Sequence, residues 1–245
     1  MNKSQLKPLG RKNYGHIPHL EGSRMGPGDH KCSDGQTRIA TVQARDKHDE
    51  IFLQEKLDGS NVGVARIDDQ LYPIGRSGYP AISSSFIMHK YFHNWVFSNV
   101  DRFMSVLQNG ERLVGEWLCQ AHGTRYTLSH EPFVVFDLMI EDRRLPYDQF
   151  MSRLKGLFVI PKLLHRGGSI NIENGMSLLG PHGFHGAIDL AEGLVWRIER
   201  DNPTGEKGKT KRVVDFLVKY VRPDKVDGIY LPEQSGNDPI WNWNL

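Results

Sequence analysis

One short stretch of this sequence combines a lysine, an aspartate and a glycine in a spacing that could support nucleophilic chemistry. It reads Glu55-Lys56-Leu57-Asp58-Gly59-Ser60-Asn61. Lys56 closes a β-prone run and precedes a predicted tight Asp-Gly turn, where backbone can approach a ligand closely. A lysine attacks only as the neutral amine, and we expect burial and neighbouring cations to lower its pKa. Because Lys-x-Asp-Gly occurs by chance in roughly one such chain in twenty, a charged β-turn is the alternative.

Five further residues carry the resemblance described next: Arg76, Glu116, Phe136, Glu192 and Lys219. Glu116 lies in an apolar run, where a carboxylate is costly unless it has a partner. Phe136 is by type a core residue. The alternative for each is an ordinary turn or strand position.

In their order along the chain, these residues resemble the motif series of the covalent nucleotidyltransferases, which comprise DNA ligases, RNA ligases and mRNA capping enzymes. The resemblance covers about residues 55–220 and is greatest to the RNA-ligase-2 branch, where an asparagine follows the glycine turn as Asn61 does here. It implies that Lys56, Arg76 and Lys219 are catalytic and that Glu192 organises the metal. The implied nucleotide-binding set is Glu55, Lys56, Leu57, Asn61, Arg76, Glu116, Phe136, Glu192 and Lys219.

The resemblance also implies a reaction and its cofactors. Lys56 would attack the α-phosphate of ATP, AMP would pass to a 5′-phosphate end, and a 3′-hydroxyl would then displace AMP. Glu116 would hold the ribose hydroxyls and Phe136 would stack on adenine. ATP and Mg²⁺ would be required, with Mn²⁺ as a substitute, and RNA or a nicked duplex would be the substrate. A DNA or mixed DNA/RNA nick ligase and a non-catalytic nucleic-acid end-binding module are the alternatives.

The basic segment 205–225 leaves one assignment open. It carries seven basic and three acidic residues, which fits a polyphosphate or a nucleic-acid backbone as well as a solvated surface. The family usually has two lysines one residue apart, but Leu217 occupies the first position here. Lys209 and Lys211 have that spacing, yet we prefer Lys219 because it lies inside a β-prone run. Gly208-Lys209-Thr210 resembles the end of a phosphate-binding loop, but no helical pattern follows it.

Composition narrows the class of protein. The chain has 245 residues, of which 38% are hydrophobic and 24% are charged, as in ordinary globular proteins. No apolar run is long enough to cross a bilayer, and the N-terminus does not resemble a signal peptide, so we expect a cytoplasmic protein. Cys32 and Cys119 cannot form a disulfide framework, and Cys119 with His122 is at most half of a metal site.

Strand-like runs predominate and do not alternate strictly with helices, which favours an α+β fold. The family resemblance implies two packed antiparallel sheets with flanking helices. We expect an irregular N-terminal segment, 1–50, with one strand near 38–44, packed on an adenylyltransferase domain, 51–245. Only 26 residues follow Lys219, too few for a separate C-terminal domain. The other expected strands are 51–56, 62–67, 71–76, 112–118, 133–140, 159–166, 192–200 and 213–221, with helical patterns at 85–108 and 146–156.

Overall fold

The structure, a computed structural model, describes residues 6–206 and 208–243. Within these ranges the chain forms two antiparallel sheets with flanking helices, which confirms the predicted α+β class. The strands are β1 (Asp49–Lys56), β2 (Ser60–Ile67), β3 (Gln70–Gly75), β4 (Glu111–Trp117), β5 (Phe133–Ile140), β6 (Arg143–Arg144), β7 (Leu163–Gly167), β8 (Gly193–Pro203) and β9 (Thr210–Val221). The helices are α1 (Asp34–Thr41), α2 (Ile87–Phe97), α3 (Val100–Val106), α4 (Tyr147–Leu154), α5 (Ile172–Leu179) and α6 (Pro232–Ser235).

Each sheet packs against its own helices, and a separate hydrophobic core lies between them. The four-stranded sheet has the order β7-β1-β8-β9, and Leu53 and Trp196 on it pack with residues of α1 and α5. The five-stranded sheet has the order β3-β2-β4-β5-β6, and Trp117 and Phe133 on it pack with residues of α2, α3 and α4. Burying aromatic and aliphatic side chains of this size is the main force that fixes both helical layers.

The connection between β1 and β2 carries the lysine motif from one sheet to the other, since the two strands lie in different sheets. The prediction of a tight turn with a positive φ at the Asp-Gly step is wrong, because Gly59 does not have a positive φ. Glycine is required there by close packing instead. A Cβ on Gly59 would lie 2.5 Å from the carbonyl oxygen of Trp117 and 3.0 Å from Leu118 Cδ2.

The N-terminal part of the chain corrects another prediction. The expected strand near 38–44 is wrong, because residues 34–41 form helix α1. Ser33 caps this helix by accepting from the backbone N–H of Gln36, and the Gln36 side chain accepts from the backbone N–H of Ser33. This capping box stabilises the first turn by about 1 kcal/mol and outweighs the β-branched Ile39 and Thr41.

Most of the other predicted elements are present with shifted bounds. The helical pattern over 85–108 is divided into α2 and α3 at residues 98–99. The proline-containing run 159–166 forms β7, which lies at a sheet edge as predicted. β8 and β9 extend towards each other, so the expected long basic loop shortens to 204–209. In the described part of the chain, no helix is long and apolar enough to span a membrane.

Candidate active site

A cleft of about 1320 Å³ opens between the two sheets. Its floor and walls include the end of β1, the beginning of β2, the end of β3, and residues of β4, β5, β8 and β9. The predicted site residues that line it are Glu55, Lys56, Leu57, Asn61, Arg76, Glu116, Phe136, Glu192 and Lys219. The structure therefore gathers at one cleft the residues that the sequence spreads over more than 160 positions.

Lys56 and Glu192 form the ion pair at the centre of this cleft. Lys56 Nζ lies 2.6 Å from Glu192 Oε2, and its distance to the carbonyl oxygen of Leu57 is 3.5 Å. The two side chains meet because β1 and β8 are antiparallel neighbours with Lys56 opposite Gly193, which directly follows Glu192. The Lys56 side chain is 21% exposed, so a ligand in the cleft can reach its amine.

The electrostatics around Lys56 differ from the expectation. Burial lowers the pKa of the Lys56 amine, but the carboxylates of Glu192 and Glu116 outweigh it and hold that pKa above its usual range. The protein's own groups therefore raise this pKa, and the lowering predicted from burial and neighbouring cations, a metal ion among them, stays a prediction. Burial is also the main reason that the pKa of Glu116 rises to about 7, and it raises the pKa of Glu192.

Glu116 and Asn61 lie side by side on neighbouring strands of the five-stranded sheet, paired in register on β4 and β2. Glu116 Oε1 accepts from the backbone N–H of Gly59 at 3.1 Å, which supplies the partner that a carboxylate in an apolar strand requires. Asn61 Oδ1 is buried and, among the described residues, has no hydrogen-bond partner. A ligand N–H in the cleft could satisfy that oxygen.

Phe136 lines the cleft from β5 and is half-buried. Its ring packs edge-on against Tyr14, with the ring centroids 5.2 Å apart. The hydroxyl of Tyr14 is fixed in turn by donating to Asp137 Oδ2 at 2.5 Å. Phe136 thus presents an aromatic surface to the cleft and is held from the side by a residue of the N-terminal segment.

The structure separates the competing lysines of the basic segment. Lys219 on β9 lines the cleft opposite Val195 on β8, and burial together with Lys56 lowers the pKa of its amine. Lys209 lies in the β8–β9 hairpin, where it pairs with Glu206 at the exposed surface. Lys211 is exposed near the beginning of β9. Strand β9 follows the glycine of the loop-like Gly208-Lys209-Thr210 string, so the helix that a phosphate-binding loop needs is not formed there.

Two residues of the lysine motif turn their side chains away from the cleft. Glu55 is buried and accepts from the backbone N–H of Phe184 at 3.0 Å, and burial raises its pKa to about 7. The Leu57 side chain packs in a small core with Leu118 and Tyr126. Only their backbone atoms can contribute to the cleft, since neighbouring residues of a strand point to opposite faces.

Sequence reasoning missed a second ion pair beside the lysine motif. Lys225 Nζ lies 2.7 Å from Asp58 Oδ2, and both side chains are nearly buried. Asp58 also accepts from the backbone N–H of Gly123 at 2.9 Å, while its own N–H donates to the hydroxyl of Tyr126. No sequence signal marked Lys225, because it lies beyond the last motif in an irregular segment.

The N-terminal segment also lines the cleft, which the sequence did not indicate. Arg76 lies directly after β3, and its Nη2 is 3.3 Å from His16 Nδ1. Other cleft-lining residues of this segment are Lys12, Tyr14, His19, Arg24 and Asp29. This segment has no periodic pattern, so no single position in it stood out.

The described residues contain no group of three or more His, Cys, Asp or Glu side chains placed to hold a metal ion. Cys119 is buried, and burial raises the pKa of its thiol to about 12. Glu192 provides a carboxylate in the cleft. Such a site suits magnesium, which commonly binds one or two carboxylates and completes its shell with phosphate oxygens and water.

Comparison with known proteins identifies a family and a shared fold. No curated protein sequence matched the chain. Two solved structures that resemble it are mutants of the Naegleria gruberi RNA ligase with ATP and Mn. They are 14% and 16% identical, cover 89% and 90% of this chain with TM-scores of 0.55 and 0.51, and show that the fold is shared.

The chain spans 58% and 61% of the length of those two ligase chains. A family model described as RNA ligase matches residues 49–221, which include both sheets from β1 to β9 and every predicted site residue. This match covers well over half of the chain. On that basis, the chain belongs to the RNA ligase family.

Proposed function

We propose that this chain is an ATP-dependent polynucleotide ligase that acts on RNA by preference and works through a lysyl-AMP intermediate at Lys56. The observation that carries the proposal is the cleft itself. It brings one partly exposed lysine together with two carboxylates, two cations and an aromatic face, which are the groups that a nucleotide and its phosphates need. Membership of the RNA ligase family and the shared fold of a ligase solved with ATP and Mn support it.

The cleft offers a distinct group for each part of ATP. Phe136 supplies an apolar ring face for the base, and the unpartnered Asn61 Oδ1 can accept a hydrogen bond from it. Glu116 is close enough to the lysine motif to accept hydrogen bonds from the ribose hydroxyls. Lys219 and Arg76 provide positive charge for the phosphates.

In the first step, a bond forms between Lys56 Nζ and the α-phosphorus as the bond from that phosphorus to pyrophosphate breaks. Lys56 must be neutral to attack, so the amine has to leave its 2.6 Å ion pair with Glu192 and lose a proton. Negative charge that builds on the α-phosphate oxygens is stabilised by the ammonium of Lys219 and the guanidinium of Arg76.

A divalent cation fits the donor chemistry of this site. Glu192 would bind it together with phosphate oxygens of ATP, in keeping with the preference of magnesium for oxygen ligands. When bound, Mg²⁺ or Mn²⁺ would supply positive charge beside the α-phosphate. Engagement of the Glu192 carboxylate by a cation would also remove the strongest interaction that now keeps Lys56 protonated.

In the later steps, AMP passes from Lys56 to a 5′-phosphate end, and a 3′-hydroxyl attacks that phosphate while AMP leaves. The test is sealing of nicked duplexes that carry RNA or DNA on each side of the nick, with ATP and Mg²⁺. We expect the fastest sealing when the strand with the 3′-hydroxyl is RNA, together with an adenylated 5′ end as an intermediate. Equal or faster sealing of all-DNA nicks would contradict the RNA preference.

The same assay separates the enzyme from a binding module. Lys56→Arg keeps the positive charge of the side chain, but a guanidinium remains protonated and is a poor nucleophile. It should abolish sealing, whereas Lys162→Arg, outside the proposed catalytic set, should leave sealing near the wild-type rate. A wild-type chain that binds nicked duplexes but never takes up AMP would be an end-binding module.

A further inference from the structure

Residues 12–30, which we name the N-terminal strap, include a stretch, 18–24, that lies along the edge of the four-stranded sheet. Strand β9 is the outer strand of that sheet. The strap binds both the backbone N–H and the backbone carbonyl of Lys219. The N–H of Lys219 donates to the carbonyl of Pro18 at 3.0 Å, and the N–H of Leu20 donates to the carbonyl of Lys219 at 2.8 Å. Two residues further along, the N–H of Arg24 donates to the carbonyl of Val221 at 3.0 Å.

The strap also reaches the side chain of Lys219. Asp29 Oδ1 lies 3.6 Å from Lys219 Nζ, and the carboxylate is only 22% exposed. Asp29 Oδ2 accepts from the backbone N–H of Gly26 at 3.0 Å and lies 3.1 Å from His19 Nε2. The Gly26 hydrogen bond holds this carboxylate, the buried His19 ring lies against it, and the lysine is the flexible member of the group.

His19 is the buried residue against which Asp29 packs. Its side chain is 2% exposed, and Nδ1 lies 2.6 Å from Ser23 Oγ, which leaves Nε2 towards Asp29. The backbone of His19 is pinned as well, since its N–H donates to the carbonyl of His30 and its carbonyl accepts from the N–H of Cys32, both at 2.9 Å. These bonds close the loop that carries Asp29.

The charge balance explains why Lys219 needs such a partner. Lys56 and Arg76 repel the Lys219 ammonium across the cleft, and Asp29 and Glu192 attract it. A long lysine side chain has many rotamers, so a fixed carboxylate at this distance restricts where its charge lies. Misplacement of a catalytic group by about 1 Å can cost on the order of a hundredfold in rate.

We propose that Asp29, oriented by His19, is a positioning residue that holds the Lys219 ammonium against the α-phosphate of the nucleotide. This inference rests on the proposed function, since it concerns the AMP-transfer step. The N-terminal strap would then contribute a positioning residue to the site as well as covering the edge of β9.

A double-mutant cycle tests it, with the single-turnover rate of lysyl-AMP formation at saturating ATP as the readout. Asp29→Asn keeps an oxygen for the Gly26 N–H and removes the charge next to Lys219. We expect it to slow the reaction by about tenfold or more, with a melting temperature within about 3 °C of the wild type. In a Lys219→Met background, the same change should cost less than about twofold, because its effect runs through Lys219.

The inference would be overturned if Asp29→Asn slowed lysyl-AMP formation by the same factor in both backgrounds. It would also be overturned if the change slowed the wild-type reaction by less than about twofold. Glu21→Gln is the matched control, because Glu21 belongs to the same strap and its side chain is 86% exposed. Should Asp29→Asn be unfolded by circular dichroism, Asp29→Glu takes its place in the cycle. If the wild type forms no adduct, that result contradicts the proposed function instead. The double-mutant cycle would then use the dissociation constant of ATP as its measured quantity.

Discussion

Lys56 is held as an ammonium by carboxylates that the sequence places far away. Glu192 is 136 residues distant along the chain and 2.6 Å distant in space. Its pairing with Lys56 keeps the lysine amine protonated. Release of that amine therefore depends on what binds to Glu192 and on the cations, Lys219 and Arg76, that face the same cleft.

At the scale of single residues, a prediction distinguishes Lys219 from the other candidate lysines of the basic segment. Lys219→Ala should slow lysyl-AMP formation by about a hundredfold or more, because it removes a cation at the α-phosphate. Lys211→Ala should change the rate less than about twofold, since that side chain is exposed on the hairpin. Quenched-flow measurement with labelled ATP checks both, and a larger loss in Lys211→Ala would reverse the assignment.

Glu55 gives a prediction about the pH dependence of stability. Its pKa in the folded chain is about 7, against 4.5 for the free side chain. Because folding favours the protonated form, its stabilising contribution is complete below about pH 4.5 and is lost as the pH rises through about 7. Relative to Glu55→Gln, the wild type should lose about 2 to 3 kcal/mol of unfolding free energy between about pH 5 and about pH 8.

Urea unfolding at the two pH values measures this difference. Glu173→Gln is the control, because Glu173 is an exposed residue in the first turn of α5. Parallel pH profiles for the wild type and Glu55→Gln would show that Glu55 is ionised in the folded chain at neutral pH.

At the scale of elements, the connection from β1 to β2 decides whether the site exists. It passes between the sheets, and Gly59 lies against the backbone of Trp117. Gly59→Ala should destabilise the fold by about 1 to 3 kcal/mol, because β2 or β4 must move to admit the new methyl group. Gly168→Ala is the matched control, since nothing lies within 4 Å of a Cβ at that position.

Thermal unfolding of both variants checks this prediction. Gly59→Ala should also slow lysyl-AMP formation, because the N–H of Gly59 orients Glu116. Equal melting temperatures for the two alanine variants would mean that the close approach at Gly59 has no energetic consequence.

Much of the element pattern could be predicted from the sequence, because β-prone runs such as 51–56 and 133–140 carry a local signal. The predictions that the structure does not confirm have physical explanations. Helix α1 was not predicted because Ile39 and Thr41 favour a strand locally, whereas the capping box at Ser33 stabilises the helix. The prediction that Glu55 contacts the nucleotide stays a prediction for its backbone, since strand alternation turns its side chain to the opposite face from Lys56.

The ordered motifs predicted which residues meet at the cleft, but the contribution of the strap could not be predicted. The contacts of Asp29 and His16 with cleft residues depend on long-range packing of an irregular segment, which has no periodic pattern. The paired state of Lys56 was missed for a related reason, since the sequence does not reveal the balance of carboxylates and cations around one amine. The predicted division of the chain at residue 50 stays a prediction.

At the scale of the whole molecule, a buried ionic network joins the two sheets beneath the cleft. Arg197 on β8 donates to Asp137 on β5 at 2.6 Å and to Glu199 at 2.7 Å, and all three side chains are almost completely buried. Arg144 also donates to Asp137, at 3.1 Å. The network thus links β8 of one sheet to β5 and β6 of the other.

Removal of the central carboxylate should therefore be costly. Asp137→Ala should lower the free energy of unfolding by about 3 to 5 kcal/mol, because Arg197 would remain buried with part of its charge uncompensated. Asp142→Ala is the control, since Asp142 pairs with Arg11 at the exposed surface and should cost under about 1 kcal/mol. Chemical denaturation distinguishes the two, and equal losses would show that the network does not hold the sheets together.

The central claim is that the amine of Lys56 takes up AMP. Incubation of the chain with ATP and Mg²⁺, followed by protease digestion and mass spectrometry, locates any adenylyl group on a single peptide. We predict one AMP per chain, bonded to Lys56, and no adduct in Lys56→Ala. AMP on a different lysine, or an undiminished adduct in Lys56→Ala, would contradict the account.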